Sequence, residues 1–494
     1  MDADQIERAR QAALEAAERL GADHAEVRIE HIRSQIVALR DANLETAADD
    51  TMVGMGVRVV HDGSIGFAAT VAVDADAAAA LADQAVAAAR TTALAGGRRV
   101  ELAPEPTHPG VEWVAPHRTD PITVPLADKV ALLEAWSRRL LDAPGVDHVT
   151  AHVLAVSEEK HYADLAGTSA TQHRVRVHPA LSAVALTADG GFEEMRTVAP
   201  PVGRGWEYLE GEGWDWETEL SELPALLAAK LAAPSVEGGR YDLVIDPTNL
   251  WLTIHESVGH ATELDRALGY EAAYAGTSFA TPDKLDTLEY GSVLMHVTGD
   301  RTAEFGLATV AIDDEGVESQ SFDLVRDGIL VGYQLDRATS GVAGRARSNG
   351  CAFADSPLHI PIQRMANVSL QPATGADTTT DDLIGGVERG LYVVGDKSWS
   401  IDMQRYNFQF TGQRFFRIVD GRLDGQVRDV AYQANTTDFW GSLRGLGGPS
   451  TYLLAGAFNC GKGQPGQVAA VSHGCPSALF EQVRVLNARE ESGR

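Results

Sequence analysis

The N-terminal half of the chain alternates between helix-like and strand-like patterns of apolar and polar positions. Residues 4–20 and 127–142 have apolar positions at helical spacing, and residues 74–92 form an alanine-rich helical pattern. Between them, apolar and polar positions alternate with polar turns, which predicts antiparallel strands up to about residue 190. The first strands are expected at residues 25–29, 34–40, 43–48, 52–60 and 66–73.

A second pattern begins after a polar, glycine-containing segment at residues 235–239. Residues 241–245 predict a buried strand, and Asp246-Pro247 then supplies an N-cap and a first helical residue. The apolar residues that follow repeat at helical spacing, and beyond that helix strand patterns predominate.

These patterns predict an α+β protein of two domains. An N-terminal α/β domain with an antiparallel sheet is expected at residues 1–234, and a mostly-β domain that carries the 246–260 helix at residues 235–494. Two domains also suit the length, since single cores seldom grow past about 250–300 residues. The clearest further helix is expected at residues 380–388.

Composition narrows the class of protein. The chain has 494 residues, 44% hydrophobic and 22% charged, with a formal net charge of −29. Nucleic-acid binding needs a basic surface, which this sequence does not supply, so we expect no nucleic-acid partner. We expect no membrane span and no signal peptide, because no apolar run is long enough and the first 20 residues are acidic. Three widely spaced cysteines suit a reducing, cytoplasmic location.

The candidate chemistry lies in His255-Glu256-Ser-Val-Gly-His260. Two imidazoles can bind zinc, and the adjacent carboxylate can move a proton. On a regular helix residues i and i+5 point about 140° apart and cannot share a metal. We therefore predict a one-residue π-bulge, with Gly259 a suitable place for it; a regular helix through this segment would contradict the prediction. The alternative is two incidental histidines on a half-buried helix.

A metal site needs a third protein ligand, and residue chemistry leaves three candidates. Cys460 lies in a glycine-rich loop, where Lys462 would favour a thiolate. Glu263 would complete a His-His-carboxylate site, and Cys475 follows His473 in a ligand-like stretch. We rank them in that order, although a lone cysteine is more often a small buried hydrophobe.

The motif and the cysteine loop together resemble the TldD/PmbA family of metallopeptidases, specifically the TldD-type subunit that keeps the metal site. The late Cys460-Gly-Lys-Gly-Gln464 is similar to the family's cysteine loop but one residue shorter. Other similar stretches run through nearly the whole chain: residues 57–68, 312–316, 328–333 and 364–367.

The resemblance implies a zinc ion bound by His255, His260 and Cys460, with Glu256 as general base. Glu263 is then expected behind the ligands rather than among them. It implies cleavage of unfolded or modified peptides, in peptide maturation or degradation. It also implies a dimer, either of two copies or with a related metal-free chain of the TldE/PmbA type. The N-terminal domain would supply the dimer contact and part of the substrate cleft.

Peptide hydrolysis also needs a second electrophile for the oxyanion. The candidates are Arg364, His359 and Tyr333; for Arg364 the alternative is a structural ion pair, and for Tyr333 an aromatic on a strand face. Two other functions stay open: a peptide-binding scaffold with a structural metal, and a metal-dependent amidase acting on a non-peptide substrate. A closed, four-ligand site would mark the scaffold.

Overall fold

A computed structural model describes residues 2–96, 99–188, 190–463 and 465–491. Its N-terminal part is built on one sheet in the order β3-β2-β1-β5-β6-β4, with β7 paired to β6. All neighbours are antiparallel except β4 and β6. The strands are β1 (His24–Arg40), β2 (Asn43–His61), β3 (Ser64–Thr70), β4 (Val111–Val114), β5 (His148–Asp164), β6 (Ser169–Leu186) and β7 (Phe192–Arg196).

Four helices cover one face of this sheet. They are α1 (Ala3–Arg19), α2 (Ala75–Leu94), α3 (Leu126–Leu141) and α4 (Trp216–Ala232). Helices α1 and α2 share a core with Val27 and Ile29 of β1, and α3 and α4 share another with Val37 and Leu39 of the same strand. These are odd-numbered positions, as expected when alternate residues of a strand face opposite sides.

The even-numbered positions of the same strands bury charges instead. Arg28 Nη1 donates to Asp314 at 3.2 Å, and Lys160 Nζ to the same carboxylate at 2.7 Å. Arg58 bridges Glu26 and Glu315. Burial acts to raise the pKa of Glu26, but Arg58 and His24 outweigh it and hold that pKa at about 2. The acidic turn 313–316 therefore joins the C-terminal part to the sheet through paired, buried charges.

The C-terminal part is organised around a closed ring of five strands, in the order β15-β8-β22-β18-β16 and back to β15. Only β8 and β15 are parallel. Strands β17 and β19 extend the ring at β16 and β22. The members are β8 (Gly239–Ile245), β15 (Arg389–Ile401), β16 (Asn407–Val419), β17 (Arg422–Val427), β18 (Val430–Asn435), β19 (Leu443–Leu446) and β22 (Ala478–Asn487).

Smaller elements surround the ring. A four-stranded sheet has the order β11-β10-β9-β14, and β12–β13 and β20–β21 form hairpins. Their bounds are β9 (Val297–Asp300), β10 (Ser321–Arg326), β11 (Ile329–Leu330), β12 (Ala352–Phe353), β13 (Ile362–Gln363), β14 (Asn367–Leu370), β20 (Leu453–Lys462) and β21 (Gln467–Cys475). The helices are α5 (Pro247–Ile254), α6 (Leu264–Ala267), α7 (Arg337–Ser340), α8 (Thr380–Gly385), α9 (Thr436–Gly441) and α10 (Ala488–Glu491).

The predicted α+β class is confirmed, with differences in detail. The strands expected at 25–29 and 34–40 are one strand, β1, and those at 43–48 and 52–60 are one strand, β2. The polar residues between them occupy strand positions rather than turns. Helix α8 ends at Gly385, earlier than expected. The two strand systems lie on either side of residue 235, and the division into domains there stays a prediction.

Candidate metal centre

The His-Glu-Ser-Val-Gly-His segment is not a regular helix. Asp246 caps α5, and its side chain accepts the N–H of Thr248 at 2.9 Å. At His255 the helix widens into a π turn that spans His255–Gly259, in which the N–H of His260 donates to the carbonyl of His255. The predicted π-bulge is confirmed. It absorbs the extra residue and brings both imidazoles to one side.

Cys460 meets the two histidines from β20. One ligand atom from each of His255, His260 and Cys460 lies within 4.8 Å of the others, and all three residues are buried. The Sγ of Cys460 is 3.7 Å from Nε2 of His260, and the two imidazole centroids are 4.7 Å apart. Two imidazoles and a thiolate are a donor set that suits zinc.

A hydrogen-bond chain fixes which nitrogen of His255 is free. Nδ1 of His473 is 2.9 Å from the carbonyl of Val368, which can only accept, so His473 carries its proton on Nδ1. Burial holds the pKa of His473 well below its usual value, so its Nε2 is an acceptor. Nδ1 of His255 lies 2.7 Å from that Nε2 and must donate. The Nε2 of His255 therefore keeps its lone pair for a metal.

Glu263 determines which nitrogen of His260 faces the candidate metal position, as His473 does for His255. Its carboxylate accepts from Nδ1 of His260 at 2.8 Å and from Lys462 at 3.1 Å, so Nδ1 carries a proton and Nε2 is the nitrogen that faces Cys460. Burial acts to raise the pKa of Glu263, but Lys462, His260 and Arg266 outweigh it and hold that pKa well below its usual range. Glu263 is thus engaged behind a ligand, where it orients the ring.

The three cysteines differ in how readily they ionise. Burial raises the pKa of Cys351 to about 12 and that of Cys475 well above its usual value. Burial also acts to raise the pKa of Cys460, but His260 and Arg364 outweigh it, so that pKa lies below its ordinary value. A thiolate is the form that binds metals. Cys460 is therefore the cysteine suited to the third position.

Glu256 pairs with a residue that sequence reasoning missed. Nη1 of Arg405 donates to Oε2 of Glu256 at 2.5 Å. Arg405 lies in the turn between β15 and β16 with φ at +63°, a strained conformation for a residue with a side chain. The side chain of Asp402 accepts the N–H groups of Tyr406 and Asn407 and so holds this turn. No sequence signal links positions 256 and 405.

These groups open on a cleft of about 570 Å³ between the two parts of the chain. The N-terminal wall comes from β5, β6 and residues 196–201, and the opposite wall from the ends of β15 and β20. His255, Glu256, His260 and Cys460 all line it. The volume falls in the range of typical ligand-binding clefts.

The residues predicted to contact an oxyanion lie elsewhere. Arg364 donates to the carbonyls of Cys460 and Gln467 and so braces the β20–β21 hairpin from behind. Tyr333 donates to the carbonyl of Ala280 at 2.9 Å. His359 pairs with Asp355 at 2.6 Å. None of the three is among the described residues that line the cleft, and the geometry gives their predicted role no support.

Two histidines, a thiol of lowered pKa and a neighbouring carboxylate, all facing a cleft, define a candidate metal-dependent hydrolase. Residues 238–487 match the model of the PmbA/TldA metallopeptidase C-terminal domain, and residues 25–89 match that of PmbA/TldA metallopeptidase domain 1. The chain belongs to the PmbA/TldD metallopeptidase family.

Relatives and solved structures agree with this assignment. A metalloprotease of Methanothermobacter thermautotrophicus is 28% identical over 94% of this chain and 95% of its own. A zinc metalloprotease TldD homolog of Saccharolobus solfataricus is 23% identical over 55% of this chain and 57% of its own. The crystal structure of TldE from Thermococcus kodakarensis shares the fold, with a TM-score of 0.72 at 15% identity over 97% of this chain and 99% of that one.

No helix in the described part of the chain is both long enough and apolar enough to cross a bilayer.

Proposed function

We propose that the protein is a zinc-dependent peptidase of the TldD type, acting on unfolded or modified peptides in peptide maturation or degradation. The observation that carries the proposal is the placement of Glu256 beside His255, His260 and Cys460 at one cleft. The family assignment supports metallopeptidase chemistry, and the name of the Saccharolobus relative supports zinc.

In this proposal His255 and His260 bind zinc through Nε2 and Cys460 binds it through Sγ. Zinc bound there supplies a Lewis acid and lowers the pKa of a coordinated water towards about 7. The protein holds both imidazoles in the required tautomer through His473 and Glu263. The protein would supply three ligands to the metal, the number typical of catalytic rather than structural zinc sites.

Glu256 is the general base. It takes a proton from the attacking water and passes it to the leaving amine. Arg405 holds this carboxylate in place and itself lines the cleft, unlike Arg364, His359 and Tyr333. We therefore assign to Arg405 the part once expected of Arg364, His359 or Tyr333: a donor for negative charge that develops on the substrate.

The substrate lies extended along β20. One edge of β20 pairs with β21, and its other edge has no strand partner in the described part of the chain. Residues 455–461 of β20 line the cleft. A peptide added as a strand there is held by backbone hydrogen bonds, which are indifferent to sequence.

The open cleft beside Glu256 favours a peptidase over a scaffold with a structural metal, because a structural site is closed by a fourth protein ligand. Glu263, the residue that could have closed it, faces Nδ1 of His260 instead. An amidase acting on a non-peptide substrate would use the same residues, and no feature of the cleft favours it.

We also propose that the chain works as a dimer, either with a second copy or with a metal-free relative of the TldE type. The fold shared with TldE from Thermococcus kodakarensis supports such a pairing of like folds. The three cysteines are free, which supports the expected cytoplasmic location.

The test is mass spectrometry of an unfolded peptide mixture after incubation with the zinc-loaded protein, beside Glu256→Gln. Glu481→Gln, a surface carboxylate paired with Arg444, is the matched control. We expect fragments from the natural protein and the control and none from Glu256→Gln, with zinc retained in all three. Equal cleavage by Glu256→Gln would show that Glu256 is not the general base. No cleavage by the zinc-loaded natural protein would contradict the proposed peptidase function.

A further inference from the structure

The charged side chains that line the cleft compensate one another. Arg196 Nη2 pairs with Asp396 at 2.8 Å, and Arg405 pairs with Glu256. No other Asp, Glu, Lys or Arg among the described residues lines the cleft. In a chain with a net charge of −29, this surface is locally neutral. A charged substrate side chain would lose water there and find no unpaired acidic or basic side chain, which costs free energy.

Three flat rings from the two walls of the cleft contact one another. His152 and His178 are on β5 and β6, with ring centroids 5.5 Å apart, and His178 stacks on Phe458 of β20 at 5.7 Å. Burial, His152 and Arg196 lower the pKa of His178 to about 3, so this imidazole is neutral at ordinary pH. Burial and Arg196 lower the pKa of His152 as well.

The nitrogens of these two imidazoles have no hydrogen-bond partner in the described structure, unlike those of His255, His260 and His473. Both residues line the cleft, so a ligand in it can contact their side chains. A neutral imidazole offers one donor and one acceptor at its edge and an apolar face.

The three rings lie close to the candidate metal ligands, because Phe458 and Cys460 are on the same strand. Phe458 precedes the candidate ligand Cys460 by two residues in β20. A regular strand advances about 3.3 Å per residue, and the register shift between Ala457 and Cys460 marks a bulge here, so the two are separated by at most roughly 7 Å along the strand. A peptide lying along β20 would place there a side chain one or two residues from the bond that is cleaved.

We propose that His152, His178 and Phe458 form a side-chain subsite that selects an uncharged aromatic residue near the scissile bond of the peptide. The proposal rests on the peptidase function and adds a substrate class to it. Aromatic rings suit the subsite because they stack on the Phe458 and imidazole faces and need no counter-charge.

The test uses one unstructured peptide scaffold with a single variable residue, Phe, Leu, Lys or Glu, moved through successive positions. We expect kcat/KM at one position to be at least about tenfold higher for Phe than for Lys or Glu. Phe458→Ala should remove most of that preference, and His178→Glu should shift it towards Lys. Val468→Ala, half-exposed on β21 and outside the cleft lining, is the control and should leave the ratio unchanged.

A binding measurement separates the subsite from catalysis. Fluorescence anisotropy of the same labelled peptides with the metal-free natural protein should show the Phe peptide binding at least about tenfold more tightly than the Lys peptide. Selective binding without cleavage would keep the subsite and oppose the peptidase. Equal cleavage of all four peptides, or equal or undetectable binding, would overturn the subsite. If Phe458→Ala does not fold, Phe458→Leu replaces it in the same test. We expect Phe458→Leu to weaken the preference for the Phe peptide over the Leu peptide.

Discussion

Replacement of His473 tests whether the tautomer of His255 controls metal binding. In His473→Leu the Nδ1–H of His255 loses the acceptor that it has among the described residues, and the ring is free to turn or to carry its proton on Nε2. Loss of such a partner behind a ligand typically weakens metal binding by about 10–100-fold, which is about 1.4–2.7 kcal/mol. His473→Gln is the matched variant, because its amide oxygen can still accept from Nδ1.

The assay is competition for zinc against a chelator of known affinity, with melting of the metal-free proteins as a check on folding. We expect His473→Leu to bind zinc about 10–100-fold more weakly and His473→Gln to stay within a few-fold of the natural protein. The metal-free His473→Leu protein should also lose about 1–3 kcal/mol of stability, because a buried donor is left unpaired. A folded His473→Leu protein with unchanged zinc affinity would refute the reasoning.

Three further changes probe other features. Cys460→Ser should weaken zinc binding at least about tenfold by the same competition assay, and Cys475→Ser should not, because only Cys460 has a lowered pKa beside the histidines. Gly259→Ala should destabilise the protein by about 1–3 kcal/mol in denaturant unfolding, because the added Cβ would lie 2.6 Å from Sδ of Met365. If Gly259→Ala costs as much in a protein that already carries Met365→Ala, contact with Met365 is not the cause. The folded-state pKa of Glu26 is depressed to about 2, so the stabilisation from this carboxylate is present above about pH 4.5 and is lost as pH falls towards 2. Glu26→Gln should therefore remove up to about 3 kcal/mol of the pH dependence of stability, and an acid unfolding curve like that of the natural protein would contradict this.

The sequence predicted the local chemistry of the site better than its distant contacts. The i, i+5 spacing of His255 and His260 was enough to predict the π turn, because a regular α-helix cannot bring the two imidazoles to one side. Arg405 could not be predicted in the same way. It is 149 residues from Glu256 along the chain and reaches it only because the β15–β16 turn folds over α5 and the π turn.

The fold was predicted as a class, but the long strands were divided wrongly. Polar residues within β1 and β2 suggested turns, although no glycine or proline interrupts β1. At the predicted breaks, Glu30 is buried in an ion pair with Arg28, whereas Arg33 and Asp49 pair across the two strands nearer the surface. Sequence pattern alone does not distinguish a solvated face from a buried ionic one, since both alternate with apolar positions.

The depth of the candidate centre has a consequence for selectivity. His255, Glu256 and His260 are each only 5% exposed, at the base of a cleft with room for a short extended segment. A chain that keeps its backbone hydrogen bonds within its own helices and sheets cannot present such a segment. A peptidase built in this way discriminates by conformation, so the folded proteins around it need no inhibitor, pro-segment or compartment to be spared.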